Sequence, residues 1–288
     1  MIRSITFLVA VAAFASGAGG NALGQNEKQR VNSKGGVSSK GGIPEGTPEV
    51  EYEKGNAAFN RGEWEKAKSH YDSALRRTAD HVPALLNRGR VALTTGKLND
   101  AAADFKKVVE LKPDLPFGRI FLAAVLLDQG KHADAIVQAG KAVELDAKQP
   151  FAWYIRGTAR IHKEQYREAI SDLDEAAKLV TNDPLVFNNR GIAWQKLGDE
   201  TKAKADFERR DRLNAKQDAK LKMEQALARH DQIDFNIKSL QNRRVPPMVH
   251  VGQQGIQPVP QVPPELLKLR DDAWKAYLDA CKVYNEMP

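Results

Sequence analysis

The sequence predicts an all-α fold: a solenoid of about five helical hairpins, closed by a long C-terminal capping helix and followed by a separate tail helix. Three observations carry this. Gly55, Gly89, Ala123, Gly157 and Gly191 recur every 34 residues, and Ala67, Ala101, Ala135, Ala169 and Ala203 follow them twelve residues later. Prolines open the units at Pro48, Pro83, Pro116, Pro150 and Pro184. From Asp199 to Arg244 there is neither proline nor glycine, so a helix can run unbroken. Self-similarity at a period of about 20–50 residues is the mark of stacked repeats, each too small to bury its own apolar face.

The N-terminus reads as an export signal. Arg3 precedes an apolar run from Ile5 to Ala15, and small residues continue to Gly24. A membrane span needs about 20 apolar residues, so this run is too short for one. The order of charge, apolar core and small residues is that of a secretory signal over 1–24. Ala22-Leu23-Gly24 offers a cleavage site, with Gln25 as the first mature residue, and no cysteine lies nearby to carry a lipid. The expected location is therefore periplasmic or extracellular. Residues 25–47 repeat Ser-Lys-Gly-Gly at 33–36 and 39–42. A segment so poor in large apolar side chains cannot offset its ordering entropy and is expected to be a disordered leader.

The repeats divide as 48–81, 82–115, 116–149, 150–183 and 184–215. The predicted helix pairs are 48–61 with 64–78, 83–95 with 98–111, 117–129 with 132–145, 151–163 with 166–179, and 185–197 with a longer partner. Proline suits the first turn of a helix, where its missing N–H is no loss. Gly62, Gly96, Gly130 and Gly198 sit where a glycine ends a helix. Four residues after each conserved-spacing alanine stand Tyr71, Phe105, Ala139, Leu173 and Phe207. The fourth unit departs with Glu164 in place of the turn glycine, and the third with Ala139 in place of an aromatic.

This pattern resembles the tetratricopeptide repeat (TPR) family: small at the eighth position, alanine at the twentieth, aromatic at the twenty-fourth. The resemblance covers residues 48 to about 215. It implies a right-handed superhelix that binds protein or peptide partners and performs no catalysis of its own.

Beyond the repeats, 216–244 is expected to be a solvated capping helix, since repeat arrays need a polar end. Residues 245–264 carry Pro246, Pro247, Pro258, Pro260, Pro263 and Pro264 and read as an extended linker. Residues 265–288 form an amphipathic tail helix with a stripe of Leu266, Trp274, Tyr277, Cys281 and Tyr284.

No catalytic, cofactor-binding or metal-binding residues are expected. Cys281 is alone among the 288 residues, which excludes an internal disulfide. His70, His81, His132, His162, His230 and His250 show no ligand spacing, and no glycine-rich phosphate loop is present. The net charge is +7. Residues 202–222 hold eight Lys/Arg against four Asp/Glu, but only Phe207 is aromatic there, so no nucleic-acid surface is expected.

The resemblance also implies which side chains line the concave groove. These are Tyr52, Asn56, Phe59, Leu86, Arg90, Leu93, Phe117, Ile120, Leu127, Phe151, Tyr154, Ile161 and Asn188, an apolar and aromatic set. Family members that grip a chaperone's C-terminal carboxylate need lysine and arginine among these places. Here Asn56 and Asn87 match two positions, but Tyr52, Phe117 and Phe121 stand where cations are required, so no carboxylate-clamp partner is expected. So many apolar side chains are costly to leave in water. One occupant within reach is the tail, through Trp274, Tyr277 and Tyr284. The expected function is an exported, non-catalytic scaffold that binds protein segments through this groove. The alternatives are a polyanion- or envelope-associated protein using its basic leader and capping helix, or an accessory subunit of an envelope enzyme or assembly complex.

Overall fold

The computed structural model describes residues 46–241 and 262–286. The predicted signal, nearly all of the leader and nearly all of the proline-rich linker lie outside the described residues. The described chain forms helices α1 Pro48–Asn60, α2 Trp64–Arg77, α3 Val82–Thr94, α4 Leu98–Leu111, α5 Pro116–Asp128, α6 His132–Leu145, α7 Pro150–His162, α8 Tyr166–Leu179, α9 Pro184–Lys196, α10 Glu200–Gln241 and α11 Pro264–Glu286. Each predicted helix is present to within one or two residues. Capping helix and fifth-repeat partner are one continuous element, α10. The chain divides into two units, one ending at Asp206 and the other beginning at Phe207.

In the first unit, α1 to α8 form four hairpins, each packed against the next, α9 packs on α7 and α8, and Arg190 ties α9 to Asp206 at the opening of α10. Four hairpin turns use a glycine in the left-handed region: Gly62, Gly96, Gly130 and Gly198 have φ from +73° to +81°. Glu164 occupies the same place in the fourth hairpin at φ +59°. A side chain there strains against its own carbonyl by roughly 1–2 kcal/mol. Glu164→Gly is therefore expected to raise unfolding free energy by about 1 kcal/mol in urea titration, after the entropy cost of glycine.

The 34-residue glycines are explained by contact. A Cβ on Gly55 would lie 2.5 Å from the Tyr71 ring, one on Gly89 would lie 2.7 Å from the Phe105 ring, and one on Gly157 would lie 2.9 Å from Leu173 Cγ. Those rings and the Leu173 side chain are fully buried. Ala67, Ala101, Ala135 and Ala169 are likewise buried completely, at the same crossing. The third hairpin shows why its departure is tolerated. Ala123 carries the Cβ the other units lack, and its partner sixteen residues on is the small Ala139, both buried. The aromatic volume comes instead from Phe121, stacked on Phe105 of the preceding hairpin with ring centroids 5.1 Å apart.

Arginine–aspartate pairs, which the sequence reading passed over, tie the two helices of three hairpins. Arg88 reaches Asp104 through two bonds of 2.9 and 2.6 Å. Arg156 holds Asp172 at 3.0 and 2.7 Å, and Arg190 holds Asp206 at 2.9 and 2.6 Å. The signal was present as arginines at 34-residue multiples, each followed by aspartate after sixteen residues. The Asp104 carboxylate raises the Arg88 pKa above its usual value, against the burial that lowers it.

In the second unit, Lys216 lies over the Tyr284 ring and the His230 ring contacts Trp274. The order of these contacts makes α10 and α11 antiparallel. Ala219, Ile237 and Ala273 are buried. On sequence, the tail is one candidate occupant of the repeat groove, through Trp274, Tyr277 and Tyr284. Within the second unit, Trp274 lies between His230 and Tyr277, and Tyr284 lies against Lys216. A helix with one apolar stripe takes the nearest complementary stripe, and α10 supplies it from the same unit. Cys281, one turn away, raises the pKa of the Tyr277 hydroxyl above its usual value.

Candidate functional site

The first helices of successive hairpins, α1, α3, α5, α7 and α9, contact one another directly along the array. They form one wall of the repeat unit, and the sequence-predicted groove residues all belong to it. Eight are half-exposed: Tyr52, Asn56, Phe59, Phe117, Leu127, Phe151, Ile161 and Asn188. The apolar six of these also pack against the buried core. The other five are corrections. Leu86, Arg90, Leu93, Ile120 and Tyr154 are all buried, at 6% exposure or less, and offer no surface. Their position numbers are inward-facing, but packing with neighbouring hairpins covers them: Arg90 lies over Phe59 of the preceding hairpin and the Tyr154 hydroxyl accepts from Asn189 of the next.

Two polar clusters punctuate this wall. At the junction of hairpins one and two, the Asn87 amide donates to Asn56 Oδ1 at 2.8 Å and to the Tyr52 hydroxyl at 3.3 Å. The Tyr71 hydroxyl donates to the same Asn56 oxygen at 2.9 Å. Arg90 donates to Asn87 Oδ1 at 2.8 Å and lies over the Phe59 ring. The two asparagines that matched clamp positions are thus engaged with each other. At the junction of hairpins four and five, the Asn189 amide donates to the Tyr154 hydroxyl at 3.0 Å and to Thr158 Oγ1 at 2.9 Å. Burial pushes the Tyr71 and Tyr154 phenols well above their usual pKa, so both remain protonated. Between the clusters the wall is apolar, and Phe121, where a clamp needs a cation, is buried.

Nothing on this wall resembles a reaction centre. Among the described residues there is no group of three His, Cys, Asp or Glu placed to hold a metal. Several of the histidines, which show no ligand spacing in the sequence, have partners in the fold. His132 and His162, from neighbouring hairpins, stack at 4.4 Å with planes 4° apart. His81 caps α3 by accepting from the Ala84 amide, and His70 meets Glu51 at 2.9 Å, which holds the Glu51 carboxyl below its usual pKa. Burial, with His132 beside it, lowers the His162 pKa. The folded state therefore resists a proton that the unfolded chain accepts, so this contribution is present above the unfolded value near 6.5 and is lost as pH falls through the lower folded value. Wild type is expected to lose more stability than His162→Gln between pH 7.5 and pH 5.5, as urea melts at the two pH values would read directly.

A model of the tetratricopeptide repeat family matches residues 52–116 and 122–185. These stretches are tetratricopeptide repeats. Among curated proteins, the chain is 42% identical over 72 residues to the Hsp70-Hsp90 organizing protein of Triticum aestivum, covering 25% of this chain and 12% of that one. It is 38% identical over 61 residues to Hsp70-Hsp90 organizing protein 2 of Arabidopsis thaliana, covering 21% and 11%. The chain therefore spans only about an eighth of the length of these relatives. Among solved structures, the crystal structure of MamA protein aligns with TM-score 0.52 and 20% identity over 57% of this chain and 89% of that one. MamA 41-end from Desulfovibrio magneticus RS-1 aligns with TM-score 0.55 and 20% identity over 60% and 97%. At such identity these solved structures speak to the TPR fold alone.

Proposed function

We propose that the chain is a non-catalytic TPR scaffold whose first-helix wall binds a segment of a partner protein. The observation that carries this reading is the row of half-exposed apolar and aromatic side chains on that wall, Tyr52, Phe59, Phe117, Leu127, Phe151 and Ile161. Side chains of this kind gain roughly 1.5–3 kcal/mol each on full burial, and up to about a third of that remains to be gained by a ligand. The partner is then a peptide or helix with apolar anchors. A C-terminal carboxylate is a poor ligand here, because the clamp places hold Tyr52, Phe117 and Phe121. The role named for the Hsp70-Hsp90 organizing proteins is accordingly not transferred. The signal-like order of residues 1–24 supports export, with the scaffold acting in the periplasm or outside the cell.

Selection of displayed peptides against the full chain tests the wall. Binders should weaken roughly tenfold in Phe117→Ser and in Phe151→Ser, each loss worth about 1.4 kcal/mol. They should keep their affinity in Val137→Asp, on an exposed outer helix position, and in high salt. Binding that is insensitive to both phenylalanine variants and collapses in salt would instead favour a polyanion-binding role for the basic stretch at 202–222.

A further inference from the structure

The four junctions between consecutive hairpins are not alike. The first junction carries a hydrogen-bonded cluster on the first-helix wall, Tyr52, Asn56 and Asn87, and an ionic bridge on the second-helix side, where Arg88 donates to Asp72 of the preceding hairpin at 2.7 Å. The last junction repeats both devices: Tyr154, Thr158 and Asn189 on the wall, and Arg190 donating to Asp174 at 2.7 Å. The residues at the same repeat positions in the two central junctions cannot make either set. On the wall they are Leu86, Arg90 with Phe121, and Ile120, Ala124 with Ile155. The oriented contacts there are fewer: Gln129 donates to Asn99 at 3.1 Å and Phe121 stacks on Phe105 across the second junction, and His162 stacks on His132 across the third. On the other side, Leu122 stands in the arginine place with Lys106 before it, and Gly140 stands in the aspartate place facing Arg156. The third hairpin is correspondingly the most apolar, with α5 burying Phe121 to Leu126 without interruption.

Directional bonds fix both the distance and the angle between two packed hairpins, and the central junctions, held mainly by ring stacking and apolar contact, carry fewer of them than the two ends. Sliding of packed helices is a common route of conformational change. We infer that the array is stiff at both ends and compliant about its third hairpin, so that curvature of the first-helix wall changes chiefly between the second and fourth hairpins. The two stapled ends then move as bodies, and a segment lying along the wall is accommodated by bending at Ala123 and its neighbours rather than by local unfolding.

Spin-label distances test this. Ser69, Ala103, Val137, Ser171 and Ala205 are equivalent, exposed positions on the second helices of the five hairpins. In the full chain with Cys281→Ser, label pairs at 69 and 137, 103 and 171, and 137 and 205 each span two junctions. The middle pair crosses two compliant junctions and the outer pairs one each. Variances of independent junctions add in a nearest-neighbour array, so the middle distance distribution is expected to be about 1.4 times as wide as the outer ones. Gly140→Asp is the second arm. A Cβ at Gly140 would sit 3.7 Å from Arg156 Nη1 in ordinary contact, so the added carboxylate can complete the missing bridge. It should narrow the 103–171 and 137–205 distributions and leave 69–137 unchanged, with thermal melts confirming that every labelled protein is folded. Equal widths for the three pairs in the parent chain, or widths unmoved by Gly140→Asp, would overturn the inference.

Discussion

Gly89→Ala is expected to destabilise the chain by about 2 kcal/mol, although alanine is the better helix former by about 1 kcal/mol. The new Cβ would stand 2.7, 2.9 and 3.1 Å from three atoms of the Phe105 ring. That ring is fully buried and has no room to retreat, and its other face is stacked on Phe121. Phe105→Ala alone removes a buried aromatic side chain and should cost about 3–5 kcal/mol. The two changes together recreate the Ala123–Ala139 pairing of the third hairpin. The double variant should therefore be less unstable than the sum of the singles by about 2 kcal/mol, a coupling that urea titration of the four proteins measures. Additive effects would mean that the glycine is there for some reason other than the ring beside it.

Asp172→Ala should be the most damaging single change among the charged residues. Its carboxylate is 2% exposed and accepts from Arg156 through two bonds and from Arg160 Nη1 at 2.7 Å. Burying such a group costs free energy, so the pair itself is weak evidence of stabilisation. Removing one member is a different matter, because it strands the partners. Two guanidinium groups, at 17% and 23% exposure, would lose their counter-charge together. A loss of about 3–5 kcal/mol is expected in denaturant titration. Asp174→Ala is the contrast. That carboxylate is 44% exposed and Arg190 keeps Asp206 without it, so its loss should stay below about 1 kcal/mol. A similar cost for both variants would contradict the burial argument.

The fold was legible because hairpin geometry writes itself at fixed positions. A small residue at the crossing, alanine opposite it and a glycine at the turn are each demanded by backbone contact, and each recurs every 34 residues. Glu164 was visible as the missing turn glycine, and the backbone duly carries the strain there. The binding wall was less legible. Leu86, Leu93, Ile120 and Tyr154 occupy the same repeat positions as partly exposed Asn188, Phe59 and Tyr52, and what distinguishes them is how the neighbouring hairpins pack around each. Position within a repeat does not encode that neighbour. The tail is a related case. The stripe through Trp274 and Tyr284 says that something covers it, but not whether the cover is the wall or α10. The arginine–aspartate pairs are written in the sequence as the sixteen-residue spacing of Arg88, Arg156 and Arg190 from Asp104, Asp172 and Asp206.

The central claim is that the first-helix wall receives the partner segment. Hydrogen exchange on the full chain, with and without a saturating peptide selected against it, tests this most directly. The account predicts that slowed amides concentrate in α1, α3, α5 and α7, with α2, α4, α6 and α8 little changed. Protection confined to α10 and α11, or to the second helices, would contradict it.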